Sequence, residues 1–217
     1  IHQLAADFHS EIIRHYRHLH QHPELSYQEV NTAKYITAFL DAEGISYRSN
    51  IGGYGILAWV EGEKPGNGKT IAFVADMDAL PVHEKNDVPY KSQTEGVMHA
   101  CGHDSHTASL MGAAKIVNSL RSEFVGTVLF VFQPGEEQSP GGADLMLKDG
   151  VFRDFSPDFI VKQHAYVDLP AGKVARSTSM AFLPGRIWPV TCETMCMTCE
   201  YRSITMRSSN LTEPIFA

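Results

Sequence analysis

Two short segments that are apolar on both faces constrain the fold more than any other feature. They cover residues 70–75 and 127–133. Such runs are typical of strands covered on both sides inside a sheet, rather than of edge strands with one wet face. Between them, residues 105–120 are expected to form a helix. This order of strand, helix and strand predicts an α/β fold, with a mixed, largely parallel sheet flanked by helices.

The flanking regions add further elements to this sheet. Apolar side chains recur at three- and four-residue steps over 2–20 and 30–40, and this spacing predicts two amphipathic helices. The other predicted elements are strands over 45–48, 55–60, 159–164 and 173–176 and a helix over 143–147. After Phe182 neither periodicity persists. This change in pattern separates residues 1–182 from an unassigned tail over 183–217.

Composition excludes several classes of function. The 217 residues carry 18 Lys and Arg against 25 Asp and Glu, a net charge of −7. Because no basic run is present, nucleic acid is not an expected partner. The longest apolar runs are strand-sized, whereas a membrane span needs about 20 residues, so no membrane partner is expected. The polar opening segment and the four clustered cysteines favour a cytoplasmic location.

Polar side chains follow three of the predicted strands. Open α/β sheets bind ligands beyond the carboxyl ends of their strands, so these side chains are candidate site residues. They are Asp76 and Asp78, Glu136 and Glu137, and His164, joined by Cys101, His103, Asp104 and His106 at the start of the helix near 105. Thiolate, imidazole and carboxylate groups at one rim predict a Zn, Mn or Co site.

Each group taken alone has a simpler interpretation. The Asp76–Asp78 pair resembles solvated loop acids, and Glu136–Glu137 follows a Pro-Gly pair typical of an exposed turn. Cys101 has the alternative of a buried small hydrophobic residue. The alternative for His164 is a hydrogen-bonded histidine at the end of a strand. The joint placement of these groups at one edge of the sheet favours the metal site.

Four strings carry a resemblance to a known family. They are HQHPELS at 20–26, ADMDALP at 75–81, VMHACGHDSHT at 97–107 and FQPGEE at 132–137. The chain resembles the metal-dependent amidohydrolases of the aminoacylase and carboxypeptidase G-like peptidase family. It is most similar to the branch of hippurate hydrolases, N-acyl-amino-acid amidohydrolases and auxin-conjugate hydrolases. The resemblance runs in order from about residue 10 to about residue 180, and it implies that residues 1–182 are the N-terminal part of a metallo-amidohydrolase catalytic domain.

The resemblance implies a two-metal centre with defined roles. Two divalent ions, Zn, Mn or Co, would be held by Cys101, His103, Glu137 and His164. Glu136 would act as the general base, and Asp78 would orient a ligand from behind. Cys101 would bind as a thiolate and not act as a nucleophile. The implied reaction is hydrolysis of the amide bond of an N-acyl or N-aroyl amino acid, a small-molecule substrate.

The chain departs from the family pattern after the strand at 173–176. Family chains are roughly twice as long, because an inserted lid and dimerisation domain and a second catalytic segment follow. We therefore expect either a fragment, a chain altered in its last thirty-odd residues, or a truncated relative. A homodimer is expected only where the insert is present. Two alternatives remain: a catalytically silent remnant that binds metal or a partner, and a dipeptidase of the same family.

Overall fold

The structure of the protein is a computed structural model that describes residues 1–165, 173–177 and 192–197. The helices are α1 (His2–Gln21), α2 (Val30–Ala42), α3 (His103–Ser119) and α4 (Gly142–Lys148), with a short 3-10 helix at Arg121–Glu123. The strands are β1 (Ser46–Ile51), β2 (Gly55–Glu61), β3 (Thr70–Asp76), β4 (Thr127–Gln133), β5 (Phe159–Ala165), β6 (Val174–Ser177) and β7 (Cys192–Met197).

The described strands form one mixed sheet in the order β1-β2-β4-β3-β5-β7-β6. The neighbours β4 and β3, β3 and β5, and β5 and β7 are parallel. The pairs nearer the two margins are antiparallel. The predicted mixed α/β sheet is confirmed, and its parallel pairing is confined to the middle strands. As their two apolar faces predict, β3 and β4 have strand neighbours on both sides.

Both faces of the sheet are covered. On one face, Ile36 and Leu40 of α2 and Met111 of α3 pack against apolar side chains of β2 and β4. On the other face, Met146 of α4 packs against the opposite side chains of the same strands, among them Leu57 and Val131. Alternate residues of a strand point to opposite faces, so a central strand fills two cores at once.

Most predicted elements are confirmed, with small shifts at their ends. Helix α3 begins at His103 instead of residue 105. Strand β1 continues beyond residue 48, because an irregular register lets Ile51 pair with Gly55 across the turn. Strand β7 lies within the predicted tail and pairs with β5. The boundary proposed at 182 falls outside the described residues, and the division into two regions stays a prediction. Among the described helices, none is both long and apolar enough to cross a membrane.

Candidate metal centre

The candidate residues meet at the carboxyl edge of the parallel strands. Strand β3 ends at Asp76, and β4 ends at Gln133, shortly before the two glutamates of the 134–137 turn. His164 is the penultimate residue of β5, and His103 is the first residue of α3. Parallel strands place their carboxyl ends at the same edge, so residues distant in sequence come together there.

Three groups of three potential ligands share His103, and two of them consist of residues with a predicted role in the site. The ligand atoms of Cys101, His103 and His164 lie within 4.8 Å of one another, as do those of His103, Glu136 and Glu137. Cys101 Sγ lies 3.5 Å from His164 Nε2. His103 Nε2 lies 3.9 Å from Glu137 Oε1. All four predicted ligands therefore surround one small region, with the predicted base Glu136 beside them.

A left-handed glycine sets the spacing of the first two ligands. Gly102 has φ +83°, a conformation that residues with a Cβ seldom adopt. A Cβ on this residue would also lie 3.0 Å from the Ala165 Cβ at the end of β5. The residue thus allows a tight turn into α3 against β5. That turn brings the side chains of Cys101 and His103 to the same edge.

Asp78 fixes the tautomer of His103. His103 Nδ1 lies 2.9 Å from the Asp78 carbonyl oxygen and 3.3 Å from its carboxylate. A carbonyl only accepts hydrogen bonds, so Nδ1 carries a proton and Nε2 is the atom left to bind a metal. Burial lowers the pKa of His103, but its neighbours, Asp78 first among them, raise it well above the usual value overall, so metal binding would displace a proton from Nε2. This Nε2 atom is buried and has no hydrogen-bond partner among the described residues. A metal ligand held from behind in this way is a common arrangement in metal sites.

The Asp78 carboxylate is itself tightly held. It accepts hydrogen bonds from the Ser26 hydroxyl at 2.6 Å and from the Glu137 backbone amide at 3.0 Å. Burial alone would raise the pKa of Asp78, but the contacts with His103, Ser26 and this amide lower it to about 2. Asp78 therefore stays ionised at neutral pH. Its place behind His103 agrees with the orienting role, which remains a prediction.

Burial also shifts the pKa values of the other candidate groups. It raises the pKa of the Cys101 thiol, although the neighbouring His103 opposes the rise. Burial and then the negative charge of Asp76 raise the pKa of Glu136, toward the range suited to proton transfer near neutral pH. Burial lowers the pKa of His164, which favours the neutral imidazole that binds metals.

The donor set fits a divalent ion. It combines one sulfur, two imidazoles and carboxylates, which suits the borderline ions of the zinc, cobalt and manganese group. The buried Nε2 of His103 gains the partner that it lacks in the described part of the chain. A cation is also what would keep Cys101 ionised against its raised pKa.

Comparison with known proteins decides the family. Residues 72–209 match the peptidase family M20/M25/M40. The chain belongs to this family. The matched segment begins in β3 and includes the six residues to which the resemblance gives a role. It also extends into the predicted tail, as far as residue 209.

Individual M20 relatives agree with this assignment. The chain is 41% identical over 174 residues to the N-acyl-L-amino acid amidohydrolase of Geobacillus stearothermophilus, covering 80% of this chain and 46% of that protein. It is 44% identical over 168 residues to the N-acetylcysteine deacetylase of Bacillus subtilis, covering 77% and 43%. The solved Bacillus subtilis YXEP protein, a dinuclear metal-binding peptidase of the M20 family, is 43% identical with a TM-score of 0.71, covering 78% and 46%. The chain spans less than half the length of each of these relatives.

Sequence reasoning missed one buried ion pair in this M20 site. Asp76 is fully buried, and its carboxylate lies 2.8 Å from the ammonium of Lys162 on β5. The ligand atoms of Asp76, His103 and His106 form a third close group. Lys162 already supplies a positive charge to Asp76, so this group is less suited to a cation than the other two. A lysine directly after the apolar residues 159–161 of this strand was the one signal in the sequence.

His106 also has a different place from the one expected. Its Nε2 accepts a hydrogen bond from the Ala165 backbone amide at 2.6 Å. The Ala165 carbonyl in turn accepts the Nδ1 proton of His164 at 2.6 Å, which leaves Nε2 of His164 facing Cys101. His106 therefore fastens the end of β5 to α3 and supports the orientation of His164. Asp104 turns away from the centre and binds His20 Nδ1 at 2.6 Å.

Proposed function

We propose that this M20 chain carries the metal centre of an amidohydrolase that cleaves the amide bond of N-acyl amino acids. The convergence of Cys101, His103, Glu137 and His164 around one region, with Glu136 beside it, is the observation that carries the proposal. The names of the amidohydrolase and deacetylase relatives support the substrate class. We propose Zn, Mn or Co as the ions, two per site.

The side chains divide the work of hydrolysis. Bound divalent ions would supply Lewis acidity, polarising the amide carbonyl and making a water more acidic. Glu136 accepts the proton of the attacking water and returns it to the leaving amine, a transfer favoured by its raised pKa. Asp78 holds the Nδ1 proton of His103 and keeps its Nε2 atom directed into the site.

The test combines metal content with turnover. The 217-residue chain is purified as wild type and as the variants Cys101→Ala and Glu136→Gln. Elemental analysis measures bound metal, and hydrolysis is followed with N-benzoylglycine and N-acetyl amino acids. Cys101→Ala should lose metal and activity together. Glu136→Gln should retain metal and lose turnover by about two to four orders of magnitude, the usual contribution of a general base.

A matched control separates the site from general effects of the substitution. Glu123→Gln removes the same charge from the 3-10 helix beyond the far end of α3, where Glu123 pairs with the exposed Lys64. It should change neither metal content nor turnover. A wild-type chain without bound metal would refute the proposed centre. Metal without turnover would refute hydrolysis by this chain, and hydrolysis of dipeptides alone would refute the N-acyl substrate class.

A further inference from the structure

The segment from Ser26 to Glu29, between α1 and α2, lies against the turn that carries the two site glutamates. We call it the clamp segment. The HQHPELS string ends at Ser26, the first residue of this segment. Ser26 holds the Asp78 carboxylate, as described above. Tyr27 and Glu29 of the clamp segment contact the 134–141 loop directly.

Tyr27 packs on the loop and binds it at two points. Gly135 has φ +55°, and a Cβ there would lie 2.3 Å from the ring of Tyr27, so a side chain has no room. The Tyr27 hydroxyl donates a hydrogen bond to the Gln138 carbonyl at 2.8 Å and accepts one from the Gly141 amide at 3.1 Å. The loop therefore follows the surface of this ring on both sides of Glu136 and Glu137.

Glu29 makes the contact nearest to the site glutamates. Its side chain is fully buried, and its Oε1 accepts the Gly135 backbone N–H at 2.7 Å. This amide immediately precedes Glu136. The amide of Glu137, which lies between the two glutamates, donates to the Asp78 carboxylate. Two buried carboxylates thus hold the backbone N–H groups of Gly135 and Glu137, just before Glu136 and just after it.

We propose that Glu29 is a positioning residue that fixes the backbone of Gly135–Glu137 and so directs the carboxylates of Glu136 and Glu137 toward His103. The expected effect of Glu29 on metal affinity rests on the proposed metal centre. The contact between Glu29 and Gly135 can be tested without any metal. Outer residues that orient metal ligands typically contribute about 10–100-fold to metal affinity.

A purely structural role would make Glu29 a cap for α2, which begins at Val30. The structure gives that capping role to Glu24. Its carboxylate accepts the backbone amides of Asn31 at 2.9 Å and Thr32 at 2.8 Å, in the first turn of the helix. Glu24 thus provides a matched control. It is a glutamate in the same connection between α1 and α2, and its carboxylate binds the first turn of α2 instead of the 134–141 loop.

The experiment compares Glu29→Ala, Glu29→Gln and Glu24→Ala in the 217-residue chain. Hydrogen exchange of the Gly135 amide is measured by NMR in metal-free protein, and zinc affinity by competition with a chromophoric chelator. Glu29→Ala should lose the Gly135 protection and weaken zinc binding about 10–100-fold. Glu29→Gln should retain both, because its amide oxygen also accepts the hydrogen bond. Glu24→Ala should lower the melting temperature and leave both measurements unchanged.

Several outcomes would overturn the proposal. One is unchanged Gly135 exchange or zinc affinity in Glu29→Ala, and another is an equal loss of zinc affinity in Glu24→Ala. If Glu29→Ala does not fold, Glu29→Asp, which withdraws the carboxylate by one methylene, is judged by the same two measurements. A wild-type chain that binds no zinc refutes the proposed centre, and with it the role of Glu29 in metal binding. The exchange of Gly135 then still decides whether Glu29 holds the loop.

Discussion

Replacing Lys162 by methionine is expected to lower the free energy of unfolding by about 3–5 kcal/mol, the usual cost of breaking a buried ion pair. Asp76 is 0% exposed and Lys162 is 4% exposed. Their charged atoms are 2.8 Å apart, and at an effective dielectric constant of about 20 the attraction is roughly 6 kcal/mol. Methionine avoids the dehydration of the ammonium, which offsets part of this loss. Asp76 stays buried without its cation.

The assay is urea unfolding followed by far-UV circular dichroism at neutral pH with a chelator present. Lys69→Met is the matched control, because its ammonium lies 2.6 Å from Asp158 although the lysine side chain is 70% exposed. Water screens that pair, so its loss should be far smaller despite the shorter distance. The double variant Asp76→Asn with Lys162→Met removes both charges and should recover most of the stability.

Two results would refute this reasoning. The first is a loss below about 1 kcal/mol in Lys162→Met, the level of an exposed pair. The second is a double variant no more stable than Lys162→Met alone, since the cost would then come from lost packing and not from the unpaired carboxylate. Either result would show that the unpaired carboxylate of Asp76 is not the cause of the lost stability.

Three further predictions concern single residues. Burial lowers the pKa of His20, but its two buried carboxylate partners raise it above 6.5 overall. The stability that His20 contributes through these ion pairs is therefore complete below pH 6.5 and is lost as the pH rises through the pKa of the folded state. In urea titrations, His20→Asn should destabilise the chain more at about pH 6 than at about pH 9. Phe130→Ala should cost about 3–5 kcal/mol in thermal unfolding, because the ring is fully buried. Gly102→Ala should cost about 1–3 kcal/mol by calorimetry and weaken zinc binding, since a Cβ would strain the left-handed turn and crowd Ala165.

Much of the fold followed from local sequence pattern. The two-sided apolar runs of β3 and β4 predicted central strands because every side chain of such a strand meets a core on one face or the other. Helices α1 and α2 followed from their apolar spacing. Once the strands were placed, the position of polar residues just after them predicted where the candidate ligands would lie.

The supporting contacts of the site did not follow from pattern. Glu29 and Gly135 are 106 residues apart in sequence, yet they share a hydrogen bond. Asp76 and Lys162 also meet only because β3 and β5 are neighbours in the sheet. A buried polar residue leaves no periodic signal, since its environment depends on a partner supplied by another element.

The start of α3 shows the division most clearly. The sequence by itself determined that thiol, imidazole and carboxylate groups would gather near residue 103 at the edge of a sheet. Only the tertiary structure decided that His103 faces Glu137 while the adjacent Asp104 binds His20 on α1. Successive residues of a helix point about 100° apart, so neighbours in sequence enter different surroundings. Which of them enters the site is set by the elements packed around the helix.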